Sequence, residues 1–292
     1  MKYMKRIGIV GGGSLGLLLG SFIANHLSVT LYVKRDEQKE QLQKRGIIRS
    51  SMSYPVSVER FDHMKQEDLL FIAVKQYHLD DVLPYIQRSN GKTPLIFLQN
   101  GMGHVERLKK LTQPTIVGVV EHGAYRINDF TVKHTGLGQI KIAPYERAKQ
   151  LVKDIQKLID QPDFPITVHK DWEQLLIEKL VINAVINPLT AMLKIKNGEL
   201  LTNDYAYRLL KLLTDEVAYI LQLQPDKQFE RIRFIAQNTA ANKSSMLQDI
   251  ETTGRTEIDA ILGYLLQLPS QREKPYTTFA YNSIKAMEFG SS

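Results

Sequence analysis

The sequence contains no cysteine. Disulfide bonds, thiolate metal sites and cysteine nucleophiles are therefore excluded. Dense basic tracts are missing too: the net charge of +7 comes from scattered residues and short pairs such as Lys109-Lys110. Unclustered charge of this kind is typical of a solvated surface and argues against a nucleic-acid-binding protein. The basic excess favours anionic partners, which include nucleic acid, acidic lipid and phosphorylated or carboxylated small molecules.

Long apolar runs are also scarce. Residues 7–25 carry no charge, but six glycines interrupt them, so they make a poor continuous helix. No other stretch approaches the roughly 20 apolar residues of a membrane span. We therefore expect a cytoplasmic protein without membrane contact. A hydrophobic fraction of 43% in 292 residues predicts a globular chain of two domains.

The first half of the chain alternates short apolar runs with helical patterns. The predicted strands are Arg6–Val10, Val29–Val33, Leu69–Val74, Leu95–Leu98 and Thr115–Val119. The predicted helices are Ser14–Asn25, Glu37–Lys44, Leu79–Gln87 and Val105–Leu111. Strands that are apolar throughout and alternate with helices predict an α/β fold, with a doubly wound Rossmann-type parallel sheet. Thr131–His134 and Gln139–Ala143 flank two glycines and predict a hairpin.

From Trp172 onward the pattern is helical. Asp171 is a candidate cap for a long helix that ends near Leu193. Further predicted helices are Asp204–Gln222, Lys227–Thr239, Ser245–Ile250, Thr256–Leu268 and Thr277–Met287. We expect a dinucleotide-binding domain over residues 1–168, followed by an all-helical substrate and catalytic domain over 169–292.

A glycine-rich loop joins the first strand to the first helix. It consists of Gly11, Gly12, Gly13, Ser14, Leu15 and Gly16. Gly11 permits the tight turn, Gly13 lets the backbone approach a pyrophosphate, and Gly16 lets the helix pack closely on the strand. The helix N-terminus adds N–H donors and a positive dipole end. Because a strand precedes the loop and a helix follows it, the motif predicts dinucleotide binding.

The end of the second strand distinguishes the two nicotinamide dinucleotides. NAD sites place an acidic residue there to bind the ribose 2′-hydroxyl, whereas this chain has Lys34 and Arg35. These two cations could neutralise a 2′-phosphate, which favours NADP(H). In the alternative, both cations decorate an exposed loop and Asp36 binds the hydroxyl of NAD.

A polar stripe runs along one face of the long predicted helix. Lys179, Asn183 and Asn187 are spaced by four residues, so they share one helix face within an otherwise apolar segment. This stripe is a candidate catalytic face, although an exposed polar face is the alternative. A second polar cluster, from Asn242 to Asp259, could simply contain two capped helix starts.

Seven motifs occur in a fixed order along the chain: the glycine loop, Val74-Lys75, Gln99-Asn100-Gly101-Met102-Gly103, Lys179…Asn183…Asn187-Pro188-Leu189-Thr190, Asn197-Gly198-Glu199-Leu200, Ser244-Ser245-Met246-Leu247-Gln248-Asp249 and Thr256-Glu257-Ile258-Asp259. In order and spacing, from the glycine loop to about Gly263, they resemble the motifs of the ketopantoate reductases. The segment after Gly263 is shorter than usual for the family and puts the end of the second domain in doubt.

The resemblance implies an NADP(H)-dependent oxidoreductase that reduces 2-dehydropantoate to (R)-pantoate in pantothenate and coenzyme A biosynthesis. It places Lys179 as general acid, with Glu257 as its polar partner and a substrate ligand. The other positions that match substrate or nicotinamide ligands are Asn100, Asn183, Asn187, Asn197, Asn242 and Ser245. Lys75 matches a basic residue near the cofactor. No metal site is expected.

Two other functions fit the same residues. One is a related reductase of another small 2-keto acid, because a family match fixes the chemistry better than the substrate. The other is an NADP-binding sensor without turnover. A monomer and a homodimer both remain open.

Overall fold

The computed structural model of the chain describes residues 4–88, 91–252 and 254–290. Its strands are β1 (Arg6–Val10), β2 (Ser28–Val33), β3 (Ile47–Arg49), β4 (Met52–Tyr54), β5 (Ser57–Arg60), β6 (Leu69–Ile72), β7 (Leu95–Phe97), β8 (Thr115–Val120), β9 (Gly123–Arg126), β10 (Val132–Gly136), β11 (Ile140–Glu146) and β12 (Ile166–Val168). Its α-helices are α1 (Ser14–Ile23), α2 (Asp36–Arg45), α3 (Leu79–Arg88), α4 (Val105–Leu108), α5 (Val152–Ile159), α6 (Trp172–Leu193), α7 (Glu199–Thr202), α8 (Asp204–Ile220), α9 (Pro225–Asn238), α10 (Ser245–Thr252), α11 (Tyr264–Gln267) and α12 (Pro275–Gly290).

The main sheet has eight strands in the order β12-β11-β8-β7-β6-β1-β2-β5. The six strands from β8 to β5 run parallel to one another. Strand β11 pairs antiparallel with β8, and β12 runs parallel to β11. Ile7, Ile9 and Val10 are fully buried, as expected for a strand that is covered on both faces. The prediction of a Rossmann-type α/β fold is confirmed.

The predicted hairpin between Thr131–His134 and Gln139–Ala143 is wrong. Strand β10 pairs instead with β9, while β11 joins the main sheet beside β8. The partner strand β9 is half-buried or exposed along its length, so it lacks the apolar run that identified the other strands. The residues between β10 and β11 therefore connect two sheets.

The chain divides into two units, one of residues 1–99 and 105–175 and the other of Asn100–His104 and Leu176–Ser292. The expected domain boundary between residues 168 and 169 stays a prediction. In the second unit the elements are helical, which confirms the expected helical C-terminal region. Within it, Met102 donates its N–H to the carbonyl oxygen of Ala260 at 3.2 Å.

Helix α6 begins where the sequence predicts. The Asp171 carboxylate accepts the N–H groups of Glu173 and Gln174 at 2.9 and 3.0 Å, which is N-cap geometry. The helix spans 22 residues and is long and apolar enough to cross a membrane, contrary to our expectation that no stretch would be. However, 72% of its most apolar 18-residue stretch is buried inside the protein, as in the core helix of a globular domain.

The predicted helix over Thr256–Leu268 is wrong in its first turn. The regular helix α11 is preceded by a π-helical turn at Asp259–Gly263. Thr256 donates both its N–H and its hydroxyl to the Glu288 carboxylate, each at 2.7 Å. These two bonds fix Thr256 outside the helix, so that Glu257 precedes the helical turns.

Candidate active site

The glycine loop has the geometry that its sequence predicts. Gly11 has a φ of +118°, and its N–H bonds the carbonyl oxygen of Tyr32 at 2.9 Å. A Cβ on Gly11 would lie 2.9 Å from the Val74 nitrogen. At Gly16 an added Cβ would lie only 1.8 Å from the Gly11 oxygen. Gly11 and Gly16 therefore allow the close approach of strand, loop and helix.

Gly13 differs from its neighbours because its α-carbon faces open space. An added Cβ there meets no atom within 4 Å, whereas at Gly12 it would collide with the Gln38 amide at 2.7 Å. Gly13 is also the N-cap of α1, and as a glycine it has no side chain to cap that helix end. Open space in front of a helix N-terminus suits a pyrophosphate, so the residues present fit a dinucleotide.

The two cations after β2 are exposed, and each meets a carboxylate. Lys34 Nζ lies 3.2 Å from Asp81, and Arg35 donates to Asp129. Hydrogen bonds from His78 and Lys34 lower the pKa of the Asp81 carboxyl below its usual value. Asp36, the alternative ligand for an NAD ribose, bonds Arg60 at 2.9 Å.

A side-chain amide after β7 links the carboxyl ends of β6 and β7 by hydrogen bonds, beside the glycine loop. Gln99 donates its amide to the carbonyl oxygens of Ile72 and Val74, both at 2.9 Å. Lys75 is half-buried immediately after this point, at the carboxyl end of β6. The predicted cofactor residue Lys75 thus lies at the sheet edge where parallel folds bind nucleotides.

In the second unit, three of the predicted site residues form one hydrogen-bonded group. Asn100 donates its amide to the Glu257 carboxylate at 3.0 Å and accepts the amide of Asn183 at 3.5 Å. Glu257 and Asn183 are buried, and Asn100 is half-buried. The network therefore holds a carboxylate beside neutral amides that can bind a hydroxyl or a carboxylate of a substrate.

The polar stripe on α6 lies on a largely buried face, so an exposed polar face is excluded. Asn183 and Asn187 are 6% and 7% exposed, and Lys179 is half-buried one turn before Asn183. Three residues beyond Asn187, the Thr190 hydroxyl donates to Ser244 at 2.7 Å. Ser244 also accepts the N–H of Leu247 at 3.1 Å, and so caps α10.

Asn197 and Asn242 form a separate pair. The Asn197 N–H donates to the carbonyl oxygen of Asn242 at 3.0 Å, and the Asn197 side-chain amide bonds Thr239 at 2.9 Å. The side-chain oxygen of Asn197 is buried and has no partner among the described residues. A buried acceptor of this kind suits a substrate hydroxyl. Ser245, the first residue of α10, is exposed.

Sequence reasoning missed Gln38 and Asp129. The Gln38 amide donates to the carbonyl oxygens of Gly12 and Asp129, at 2.8 and 3.0 Å, and so ties a distant loop to the glycine loop. No local signal could have revealed this contact, because Asp129 lies 91 residues from Gln38. Within residues 4–88, 91–252 and 254–290, no cluster of three or more His, Asp or Glu side chains could hold a metal ion.

Two family models match the chain. "Ketopantoate reductase PanE/ApbA" matches residues 7–147, and the corresponding C-terminal model matches residues 171–288. The second match includes the short segment after Gly263.

Individual proteins agree with the family models. The 2-dehydropantoate 2-reductase of Bacillus subtilis is 41% identical over 296 residues, which cover 97% of both chains. The crystal structure of a probable 2-dehydropantoate 2-reductase from Bacillus subtilis aligns with a TM-score of 0.86 at 40% identity, covering 97% of this chain and 99% of that one.

A more distant likeness supports the fold alone. The ternary structure of D-mandelate dehydrogenase with NADH and anilino(oxo)acetate aligns with a TM-score of 0.90 at 20% identity, over 98% of this chain and 99% of that one. With both family models matched and a relative that is 41% identical over nearly the whole length, the chain belongs to the ketopantoate reductase family.

Proposed function

We propose that this protein reduces 2-dehydropantoate to (R)-pantoate with NADPH, in the biosynthesis of pantothenate and coenzyme A. The observation that carries the proposal is the hydrogen-bonded group of Asn100, Glu257 and Asn183, on a chain that matches a 2-dehydropantoate 2-reductase over 97% of its length. We assign cofactor binding to the first domain and substrate binding to the helical domain. The protein acts in the cytoplasm on a small molecule.

Lys179 serves as the general acid in this proposal. Reduction of a ketone places developing negative charge on the carbonyl oxygen, and an ammonium group there stabilises that charge and donates the proton. NADPH supplies the hydride for the carbonyl carbon when it is bound. Glu257 and the amides of Asn100, Asn183 and Asn187 orient the substrate without adding another buried cation.

Asn197, Asn242 and Ser245 complete the proposed substrate ligands. The buried side-chain oxygen of Asn197 offers an acceptor for a substrate hydroxyl, and Ser245 offers a donor at the start of α10. For the cofactor, the glycine loop binds the pyrophosphate, and Lys34 and Arg35 bind the 2′-phosphate. Lys75 and Asn100 complete the proposed cofactor ligands.

The central test is a panel of small 2-keto acids, each assayed by the oxidation of NADPH and of NADH. We expect the highest kcat/KM with 2-dehydropantoate and NADPH. A higher value with another keto acid would assign the protein to a related reductase. Binding of NADPH without turnover of any keto acid would make it a sensor instead.

Replacing Lys179 tests its role in proton donation. We expect Lys179→Ala to lower kcat by roughly 10²–10⁴ and to leave NADPH affinity nearly unchanged. Stopped-flow turnover and NADPH fluorescence titration measure the two quantities. Lys227→Ala, an exposed lysine on α9, is the matched control. Near-normal kcat in Lys179→Ala would remove Lys179 from the mechanism.

A further inference from the structure

In the loop between β9 and β10, Asp129 contacts both Arg35, which follows β2, and Gln38 of α2. Its carboxylate accepts from Arg35, and Arg126 lies 3.7 Å from the same oxygen. Its backbone carbonyl accepts the Gln38 amide, which also bonds the Gly12 carbonyl of the glycine loop. Both the main chain and the side chain of Asp129 are thus fixed at this site.

The loop itself is well anchored. The Asn128 side chain accepts the N–H groups of Phe130 and Thr131 at 3.0 and 2.8 Å. The Phe130 carbonyl accepts the N–H of Ile48, in β3, at 2.8 Å. Because these bonds leave out the Asp129 side chain, a change of that side chain alone should leave the loop in place.

The two predicted 2′-phosphate cations differ in their carboxylate partners. Lys34 and Asp81 are 62% and 48% exposed, so water screens their attraction. Arg35 is 50% exposed and Asp129 only 26%, and two arginines share the Asp129 carboxylate. The charge of Asp129 therefore acts on Arg35 with less screening than the charge of Asp81 acts on Lys34.

A 2′-phosphate carries a charge of about −1.5 to −2 at neutral pH. To reach Arg35 it must displace a carboxylate or lie beside one, and both cost binding free energy. The 2′-hydroxyl of NADH is neutral and can donate to a carboxylate, so it meets no such repulsion.

We propose that Asp129 limits the preference for NADPH over NADH by competing with the 2′-phosphate of NADPH for Arg35 and Arg126. This inference rests on the proposed function, because it assumes a nicotinamide dinucleotide on the glycine loop. It adds Arg126 to the residues that bind the 2′-phosphate and gives the loop between β9 and β10 a part in specificity. Asp129 restrains the preference for NADPH over NADH.

The test measures binding without turnover. Asp129→Asn removes the charge and preserves the shape of the side chain. Calorimetry with 2′,5′-ADP and with ADP, and fluorescence titration with NADPH and NADH, give the four dissociation constants. We expect Asp129→Asn to bind 2′,5′-ADP and NADPH roughly two- to tenfold more tightly, with ADP and NADH nearly unchanged. In an Arg35→Ala background the gain should shrink.

Asp163→Asn, an exposed acid, makes the same change of net charge and controls for long-range attraction. Asp129→Ser is the second variant, in case the asparagine variant folds poorly. Unchanged or weaker binding of 2′,5′-ADP in both Asp129 variants would overturn the competition; weaker binding would show that Asp129 positions Arg35. If the wild-type protein bound neither NADPH nor 2′,5′-ADP, the proposed function itself would fail.

Discussion

At the scale of single residues, Asn100 orients the predicted active-site network. It lies 157 positions from Glu257 in the sequence, yet its amide donates to that carboxylate at 3.0 Å. Its side-chain oxygen accepts from Asn183, so both ends of the amide are assigned by their partners. An aspartate at position 100 would place two carboxylates together, which explains why this position needs an amide.

The role of Lys34 and Arg35 in binding the 2′-phosphate can be tested by replacing both residues. We expect the double variant Lys34→Ala/Arg35→Ala to weaken NADPH roughly tenfold to hundredfold, because charge-assisted hydrogen bonds to the phosphate are lost. NADH binding should change little. Fluorescence titration with both nicotinamides measures the difference.

The control is Lys153→Ala/Lys157→Ala, an exposed pair of the same total charge on α5. It should affect neither nicotinamide strongly. Equal loss of NADPH and NADH in the Lys34/Arg35 variant would mean that the 2′-phosphate is bound elsewhere.

At the scale of elements, the apolar strands were predictable and the polar ones were not. Each predicted strand and helix of the first half is present, with ends shifted by at most three residues. Strand β9 escaped prediction because its side chains are half-buried or exposed. The stripe on α6 follows from helical spacing, whereas the Arg35–Asp129 contact spans 94 positions and leaves no periodic signal. Resemblance, not spacing, identified Glu257 and Ser245.

The side chain of Lys274 caps the C-terminal end of helix α11. Lys274 Nζ donates to the carbonyl oxygens of Leu265, Leu266 and Leu268 at 2.9, 3.0 and 2.5 Å. We expect Lys274→Met to lower the free energy of unfolding by about 1–2 kcal/mol, because carbonyls at the helix end lose their donor. Urea denaturation measures the change. Lys227→Met, at an exposed position, should leave the free energy of unfolding unchanged. Equal stability of the two variants would show that Lys274 does not stabilise the helix end.

At the scale of the whole molecule, a half-buried histidine pair makes stability depend on pH. His122 and His134 lie 3.1 Å apart, and His122 stacks on Phe164 with ring centroids 4.4 Å apart. Burial, and then His134, lower the pKa of His122 from 6.5 to about 4. Burial, and then Arg49, lower the pKa of His134 as well.

The unfolded chain therefore binds more protons than the folded protein between about pH 4 and 6.5. We expect the free energy of unfolding to fall as the pH is lowered through that window. The fluorescence of Trp172, the single tryptophan, follows unfolding of the first unit. His122→Gln should flatten the acid side of the profile, whereas exposed His63→Gln should not. An unchanged slope in His122→Gln would exclude the pair as its source.

The segment Asn100–His104 follows β7 in the chain but groups with the helical unit. There, an added Cβ on Gly101 would lie 2.2 Å from the Ala260 oxygen. Genetic recombination between relatives at a single point near residue 168 would therefore pair Asn100 from one parent with Glu257 and Ala260 from the other. Chimeras that exchange the dinucleotide-binding domain should keep this pentapeptide with the parent of the C-terminal half. The segments of the two units therefore alternate along the sequence, and a single crossover cannot exchange one unit intact.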